Sequence, residues 1–429
     1  MFIKEAFYVL FGFYWEKRSR EKIEKHQINK INNFLKDACS NVPYYINSKI
    51  YSKQIASFDD FRKLPVMNKD IVRSSSDSFH SKKYCDLNKL IALRTSGTTG
   101  EPMTFYHDIN CYSYFTGANV RKVMSTKKYK PYFKAIQISP HIRKPKIYEK
   151  FGLFRRITVS GDLPIDEVKK IVIESKPDCL ISYPVYLGDL VSSMSEEERN
   201  LLSESVKLIF TESEMLTENL RAYIQNSLKT EIFDDYASNE MLSITYECSH
   251  HRHHIVEDRI YLEVLDDEGN SLPDNIEGNI VITSYLEKAM PLIRYLQGDK
   301  GIISSEPCPC GRTFKTLKLT QGRAEHCIQL DNGKKIYSWI MIRLSVLVEG
   351  VREMYIRQGM DGNITVYYIP FNKVHANNNE IERFIKDYFI DELGICPKLE
   401  VTDCIPRTKG GKAQYIFSEI SEKELIARA

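Results

Sequence analysis

The chain has 429 residues, of which 42% are hydrophobic and 27% charged, and its 60 basic and 57 acidic side chains leave a net charge of +3. Such a length predicts two or more domains rather than one small core, and the near-balanced charge weighs against nucleic acid as a partner. Ten Cys are scattered with only Cys308 and Cys310 close together, so a secreted disulfide framework is excluded and a reducing, cytoplasmic setting is expected.

Residues 1–60 carry few Gly or Pro and read as mainly helical. Met1–Phe13 is apolar and aromatic, and Lys17, Arg18, Arg20, Lys22 and Lys25 follow it. Positive charge after the apolar part is the reverse of a signal peptide. The segment reads as an amphipathic helix packed on its own domain, with peripheral contact of residues 1–25 to an anionic membrane as the alternative. No apolar run is long enough to span a bilayer. From about residue 90 to 320, strand-like runs (Ala135–Ile138, Cys179–Ile181, Leu208–Phe210, Asn279–Thr283) alternate with helical patterns (Ile165–Glu174, Thr217–Leu228). That alternation predicts an α/β fold. Asp266–Asn270 is a hairpin turn signal. Past residue 324 the order becomes strand, helix, two strands around Met360–Asn363, helix, strand, which predicts a small α+β domain over 324–429 behind a larger one over 1–323.

Several segments carry chemistry. Leu93–Pro102 reads L-R-T-S-G-T-T-G-E-P, so Thr95, Ser96, Gly97, Thr98, Thr99 and Gly100 form a hydroxyl- and glycine-rich loop. Such a loop turns N–H groups and hydroxyls toward a polyanion such as a nucleotide triphosphate. Its spacing is not that of a Walker A loop. Tyr236-Ala237-Ser238-Asn239-Glu240 follows a strand-like run, Glu231–Asp235. Its ring can stack on adenine and its carboxylate can hold Mg²⁺, although alone it reads as a turn. In Pro291–Asp299, an Asp after a turn glycine can accept both ribose hydroxyls; alone this too is a surface turn. Ile405–Lys412 reads I-P-R-T-K-G-G-K. Adjacent glycines leave its Lys412 able to bridge a carboxylate and an α-phosphate, with Lys409 as the nearby alternative and a solvated basic loop as the bland one. Cys248 and the histidines 250, 251, 253 and 254 precede Cys308-x-Cys310. Three Cys and one His make a closed structural zinc set, though spacing alone fits reduced, unpaired thiols equally.

Taken in order, these segments resemble the motifs of the adenylate-forming superfamily of acyl- and aryl-CoA ligases. T-S-G-T-T-G-E-P resembles its phosphate loop, Tyr236–Glu240 its Y-G-x-T-E segment, Pro291–Asp299 its ribose-binding segment, Gln321-Gly322-Arg323 the G-R before its interdomain hinge, and P-R-T-x-x-G-K its catalytic-lysine segment. The chain departs from the pattern at Ala237, Asn239 and Glu325-His326. Within the superfamily it resembles the phenylacetate-CoA ligase and CapK-like branch, through its length, the F-Y-V-L-F-G-F-Y-W start and C-P-C-G-R at Cys308–Arg312.

The resemblance implies an α/β enzyme with a large N-terminal domain of mixed sheets and helices and a small mobile C-terminal α+β domain. It implies activation of a carboxylic acid by ATP as acyl-AMP, with Glu240 on Mg²⁺, Asp299 and Arg294 in the ribose segment, Tyr236 at adenine, Arg323 near the hinge and Lys412 on the adenylation transition state. Tyr183-Pro184 and Thr211–Glu214 would line the acyl pocket. The acceptor would be coenzyme A, with Arg121, Lys122, Arg143, Lys144 and Lys146 available for its phosphates, or an amine or hydroxyl of a sugar precursor, since CapK-like members accompany surface-polysaccharide genes. A catalytically dead nucleotide-binding scaffold is the reading from another class. Some members of the branch bind zinc through C-x₅-H…C-x-C-G-R, which here selects Cys248, His254, Cys308 and Cys310. The sequence specifies no oligomeric state.

Overall fold

The computed structural model describes residues 2–48, 51, 54–95, 103–140, 142–143, 145–321, 327–330, 332, 334–371, 378–407 and 413–420. The chain forms two compact units, Met1–Tyr129 with Phe233–Gln321, and Lys130–Ile232 with Gly322–Ala429. The boundary expected at 323/324 thus stands beside cuts at 129/130, 232/233 and 321/322.

The first unit opens with the expected helices, Phe2–Trp15, Arg20–Asn41 and Pro43–Ser48. In Arg20–Asn41 the buried residues Ile23, Gln27, Ile31, Phe34, Leu35 and Ala38 recur at helical spacing, so one stripe faces the core. Helix Ile109–Ser125 is capped by the Asp108 carboxylate, which accepts from the N–H groups of Asn110 and Cys111. It packs against Phe2–Trp15 at Gly117, where a Cβ would stand 2.9 Å from the Glu5 carbonyl oxygen. Only glycine lets the two backbones approach that closely. An antiparallel sheet forms the rest of the unit, in the order Ile260–Leu265, Glu277–Ser284, Tyr295–Ser304, Thr316–Gln321, His253–Ile255, Leu242–Glu247 and the strand Glu231–Ser238.

The second unit holds a parallel sheet ordered Leu208–Thr211, Cys179–Ser182, Ala135–Ser139, Arg156–Ser160. Cys179–Ser182 and Leu208–Thr211 are buried along their whole length, as parallel strands covered on both faces are. Helices Ile165–Ser175, Pro184–Ser192 and Glu218–Leu228 supply that cover. The α/β expectation holds, with strands and helices where the periodicity put them. In the C-terminal part, Val351–Gln358 pairs antiparallel with Ile364–Pro370 around the turn at Gly362 (φ +81°), and Lys398–Val401 and Ile416–Ser418 add in parallel at the edges. Ile381, Ile385 and Phe389 close its core.

Candidate active site

Strands Ile91–Arg94 and Thr104–His107 form a two-stranded antiparallel hairpin. Thr95 closes it: its N–H donates to the Met103 carbonyl at 2.9 Å, and its hydroxyl accepts from the Met103 N–H at 3.0 Å. Ser96, Gly97, Thr98, Thr99 and Gly100 lie outside the described residues, so the base of the candidate phosphate loop is defined and its tip is not described. The Thr95 hydroxyl belongs to the base.

The Tyr236–Glu240 segment is fastened to both strands of that hairpin through Asn239. Its side-chain amide donates to the Arg94 carbonyl at 3.0 Å, and its own carbonyl accepts from His107 Nε2 at 2.8 Å. His107 Nδ1 lies 2.7 Å from Glu287, which also accepts from the Cys111 thiol at 2.7 Å and from Arg259 at 2.9 Å. Burial works against charge on His107, but the Glu287 carboxylate outweighs it and holds the imidazole above its ordinary value. The bonding agrees: both ring nitrogens face acceptors, so both carry protons. Glu287 is held below the usual range because His107 and Arg259 outweigh its burial. None of His107, Cys111, Arg259 and Glu287 stands out in the sequence. They are up to 180 residues apart, and a buried His–carboxylate pair leaves no local pattern.

Glu240, next to this clasp, is 3% exposed. Tyr236 donates its phenol proton to the buried carboxylate of Asp299, so the structure brings the candidate adenine and ribose residues together. Asp299 follows Gly298, at φ +89°, a conformation that glycine adopts without strain. Arg294 is used otherwise. It is 3% exposed, pairs with Glu263 at 2.6 Å, and donates to the carbonyls of Arg62 and Leu64. Its guanidinium ties the ribose segment to the N-terminal helical region. Arg323 lies outside the described residues.

Lys409 and Lys412 also lie outside them, yet both ends of their loop are defined within the second unit. Arg407 and Ala413 pair as an antiparallel bridge, and Gln414 N–H donates to the Pro406 carbonyl at 2.9 Å. Arg407 lies over the Tyr186 ring at 4.8 Å and pairs with Asp189 at 2.6 Å, while Asp189 also accepts from Arg352 at 2.6 Å. On the other side, the Ala413 N–H donates to Glu214. The segment Thr211–Glu214, expected to line the acyl pocket, thus anchors the candidate lysine loop. Glu212 accepts from Gln137 at 2.9 Å, and the Tyr183 phenol is pushed up to about 12 by burial, then by Glu212 and Glu214.

A third site is built by two turns. The Cys248 carbonyl accepts from the N–H of His251, which has φ +53°, and the chain reverses into strand His253–Ile255. Opposite it, Gly311 (φ +82°) turns Cys308–Gly311 back, its N–H donating to the Cys308 carbonyl. The ligand atoms of Cys248, His254, Cys308 and Cys310 all lie within 4.8 Å of one another, with Cys248 and Cys308 sulfurs 3.7 Å apart and Cys310 Sγ 3.3 Å from His254 Nε2. The sulfur spacing matches the edge of a tetrahedron with ~2.3 Å Zn–S bonds. His254 Nδ1 lies 2.9 Å from the Phe314 carbonyl, which fixes the tautomer and leaves Nε2 with its lone pair toward the cluster. Burial pushes His254 down to about 4, so the ring is neutral. The donor set fits zinc.

Two of the cations expected to face coenzyme A are not at the surface. Arg121 is fully buried and pairs with Asp258 at 3.0 Å, and buried Lys122 pairs with Asp235 at 3.1 Å. Their charge is spent inside the fold, which corrects the expectation that Arg121 and Lys122 are available for the phosphates of coenzyme A. Arg143 pairs with Glu149 at 2.8 Å, Lys146 lies over the Tyr148 ring, and Lys144 is outside the described residues.

No protein-family profile matches the chain. The phenylacetate-coenzyme A ligase of Thermus thermophilus is 23% identical over 94% of this chain and 98% of its own. Protein CapK of Staphylococcus aureus is 24% identical over 94% and 91%. Among solved structures, 2-hydroxyisobutyryl-CoA ligase in its postadenylation state superposes with a TM-score of 0.76 at 19% identity, over 96% of this chain and 92% of that one. With the motifs in order along this fold, these likenesses support the adenylate-forming superfamily of AMP-forming ligases. Within it, they support the branch of phenylacetate-CoA ligase and CapK.

Proposed function

We propose that this protein activates a carboxylic acid with ATP and passes the acyl group to coenzyme A. A carboxylate oxygen attacks the α-phosphorus of ATP, a new P–O bond forms, and the bond to the bridging oxygen of the β-phosphate breaks, releasing pyrophosphate. The coenzyme A sulfur then attacks the acyl carbon; its proton goes to solvent and AMP leaves. Tyr236 stacks on adenine, Asp299 exchanges the Tyr236 phenol for the ribose hydroxyls, and the loop Thr95–Gly100 receives the β- and γ-phosphates. Glu240 offers a hard oxygen donor for Mg²⁺, which neutralises phosphate charge when bound. Lys412 stabilises charge spread over the adenylation transition state. Arg294 acts as scaffold, and residues 324–429 act as a mobile domain hinged near Arg323. Cys248, His254, Cys308 and Cys310 hold a structural zinc that ties two turns together and stays out of the reaction.

The observation that carries this reading is the Asn239 clasp, which binds the candidate metal carboxylate, Glu240, to the phosphate-loop hairpin. The test is ATP–pyrophosphate exchange across aryl, fatty, amino and uronic acids, followed by single-turnover AMP release on adding coenzyme A. No exchange with any acid would turn the chain into a nucleotide-binding scaffold. The likeness to CapK supports a second acceptor class. Release accelerated by an amino sugar or sugar nucleotide, and not by coenzyme A, would make the enzyme an amide- or ester-forming ligase of surface-polysaccharide precursors.

A further inference from the structure

Helix Phe2–Trp15 has two faces of different chemistry. One enters the core. Glu5 and Glu16 are buried there, and Glu16 is bound by the Tyr246 hydroxyl, by Arg312 at 2.8 Å and by Arg121 at 3.4 Å. On the other face Ile3, Phe7, Leu10 and Tyr14 are 84%, 58%, 70% and 52% exposed. At ~100° per residue these four fall in a stripe about 60° wide, on the side of the helix away from Glu5. Single exposed apolar residues are ordinary, but four aligned over three turns are a surface.

Along the helix and the turn that follows it, the exposed charges have one sign. Between residues 2 and 18 the acidic side chains are Glu5 and Glu16, both buried. Lys4 and Lys17 are exposed, and the Arg18 guanidinium stacks on the Tyr14 ring at 3.7 Å, at the end of the stripe. A second copy of this face is a poor occupant, because antiparallel pairing would set Lys4 against Lys17 and Arg18 with no surface acid between them. A boundary with hydrocarbon beneath and phosphate above matches both features. Fourteen residues make a helix of roughly 21 Å, too short to cross a bilayer of ~30 Å hydrocarbon.

We infer that this helix seats the protein flat on an anionic bilayer, with Ile3, Phe7, Leu10 and Tyr14 in the acyl boundary and Lys4, Lys17 and Arg18 at lipid phosphates. The experiment is cosedimentation of the full chain with phosphatidylcholine vesicles, and with vesicles in which roughly a third of the lipid is phosphatidylglycerol. The substituted side chains are exposed, so Phe7→Ser/Leu10→Ser and Lys17→Glu keep the wild-type melting temperature. The wild type pellets with the anionic vesicles only. The double variant loses at least about tenfold in partitioning, and Lys17→Glu loses about fivefold or more. Failure to pellet with anionic vesicles, or pelleting indifferent to the double variant, overturns the assignment. So does a wild-type dimer that the double variant dissolves in the absence of vesicle binding, which gives the face to a second copy.

Discussion

His107 Nε2 donates to the carbonyl oxygen of Asn239 at 2.8 Å, one residue before Glu240. His107 ends the second strand of the hairpin that carries the candidate phosphate loop, and the Asn239 amide grips the first strand at Arg94. The position of the candidate metal carboxylate is therefore set by a buried ion pair, His107 with Glu287, that no nucleotide would touch.

His107→Ala should raise the KM for Mg·ATP about tenfold and cost on the order of 3 kcal/mol in stability, since Glu287 loses a buried partner. His107→Gln keeps a donor and should recover much of the KM. The pH sign follows from the raised pKa of His107. The pair's stabilisation is full below the unfolded value of 6.5 and is lost as pH rises through the folded value. Chemical denaturation across pH should show that loss in the wild type and not in His107→Gln. An unchanged KM in His107→Ala would detach the clasp from catalysis.

Glu353 gives a second pH signature. It is fully buried, and burial, partly offset by Arg352, pushes it from 4.5 to about 8. The folded chain prefers the proton here, so this contribution is full below about 4.5 and drains away as pH rises to about 8. Glu353→Gln should flatten the melting temperature over that window. A wild-type slope retained in the variant would place the titration elsewhere.

For the lysine loop, Lys412→Ala should reduce pyrophosphate exchange by roughly 10²-fold or more while ATP still binds. Asp189→Asn weakens the Arg407 anchor and should slow adenylation without touching a reactant. Full exchange in Lys412→Ala together with loss in Lys409→Ala would shift the catalytic assignment by three residues.

Protein purified under reducing conditions without chelator should carry about one zinc per chain, and Cys308→Ser should lower the melting temperature. Metal analysis that finds none would remove zinc from the site.

The strands and helices were legible because their signals are local: Cys179–Ile181 and Leu208–Phe210 are short unbroken apolar runs, and Ile165–Ser175 has helical spacing. Thr95, Tyr236, Asp299, Cys308 and Cys310 were legible as motif members. What stayed hidden is what side chains do across the fold. Arg294 looks like part of a ribose site and is a buried strut to Glu263. Asn239 looks like a departure and is a bridge. Glu214 looks like part of the acyl-pocket lining and holds Ala413. Each depends on partners tens to hundreds of residues away, which periodicity cannot encode.

Cys248 and Cys308, 60 residues apart in sequence, lie with their sulfurs 3.7 Å apart at the two ends of a loop. Inside that loop lie Arg259, Glu263, Glu287, Arg294 and Asp299. Joining its ends removes much of the conformational freedom that this stretch would otherwise lose piecemeal. A metal held by these four ligands would tether, at both ends, the segment that carries the candidate nucleotide residues. Loss of that tether would reach the candidate ATP residues, although none of the four ligands is among them.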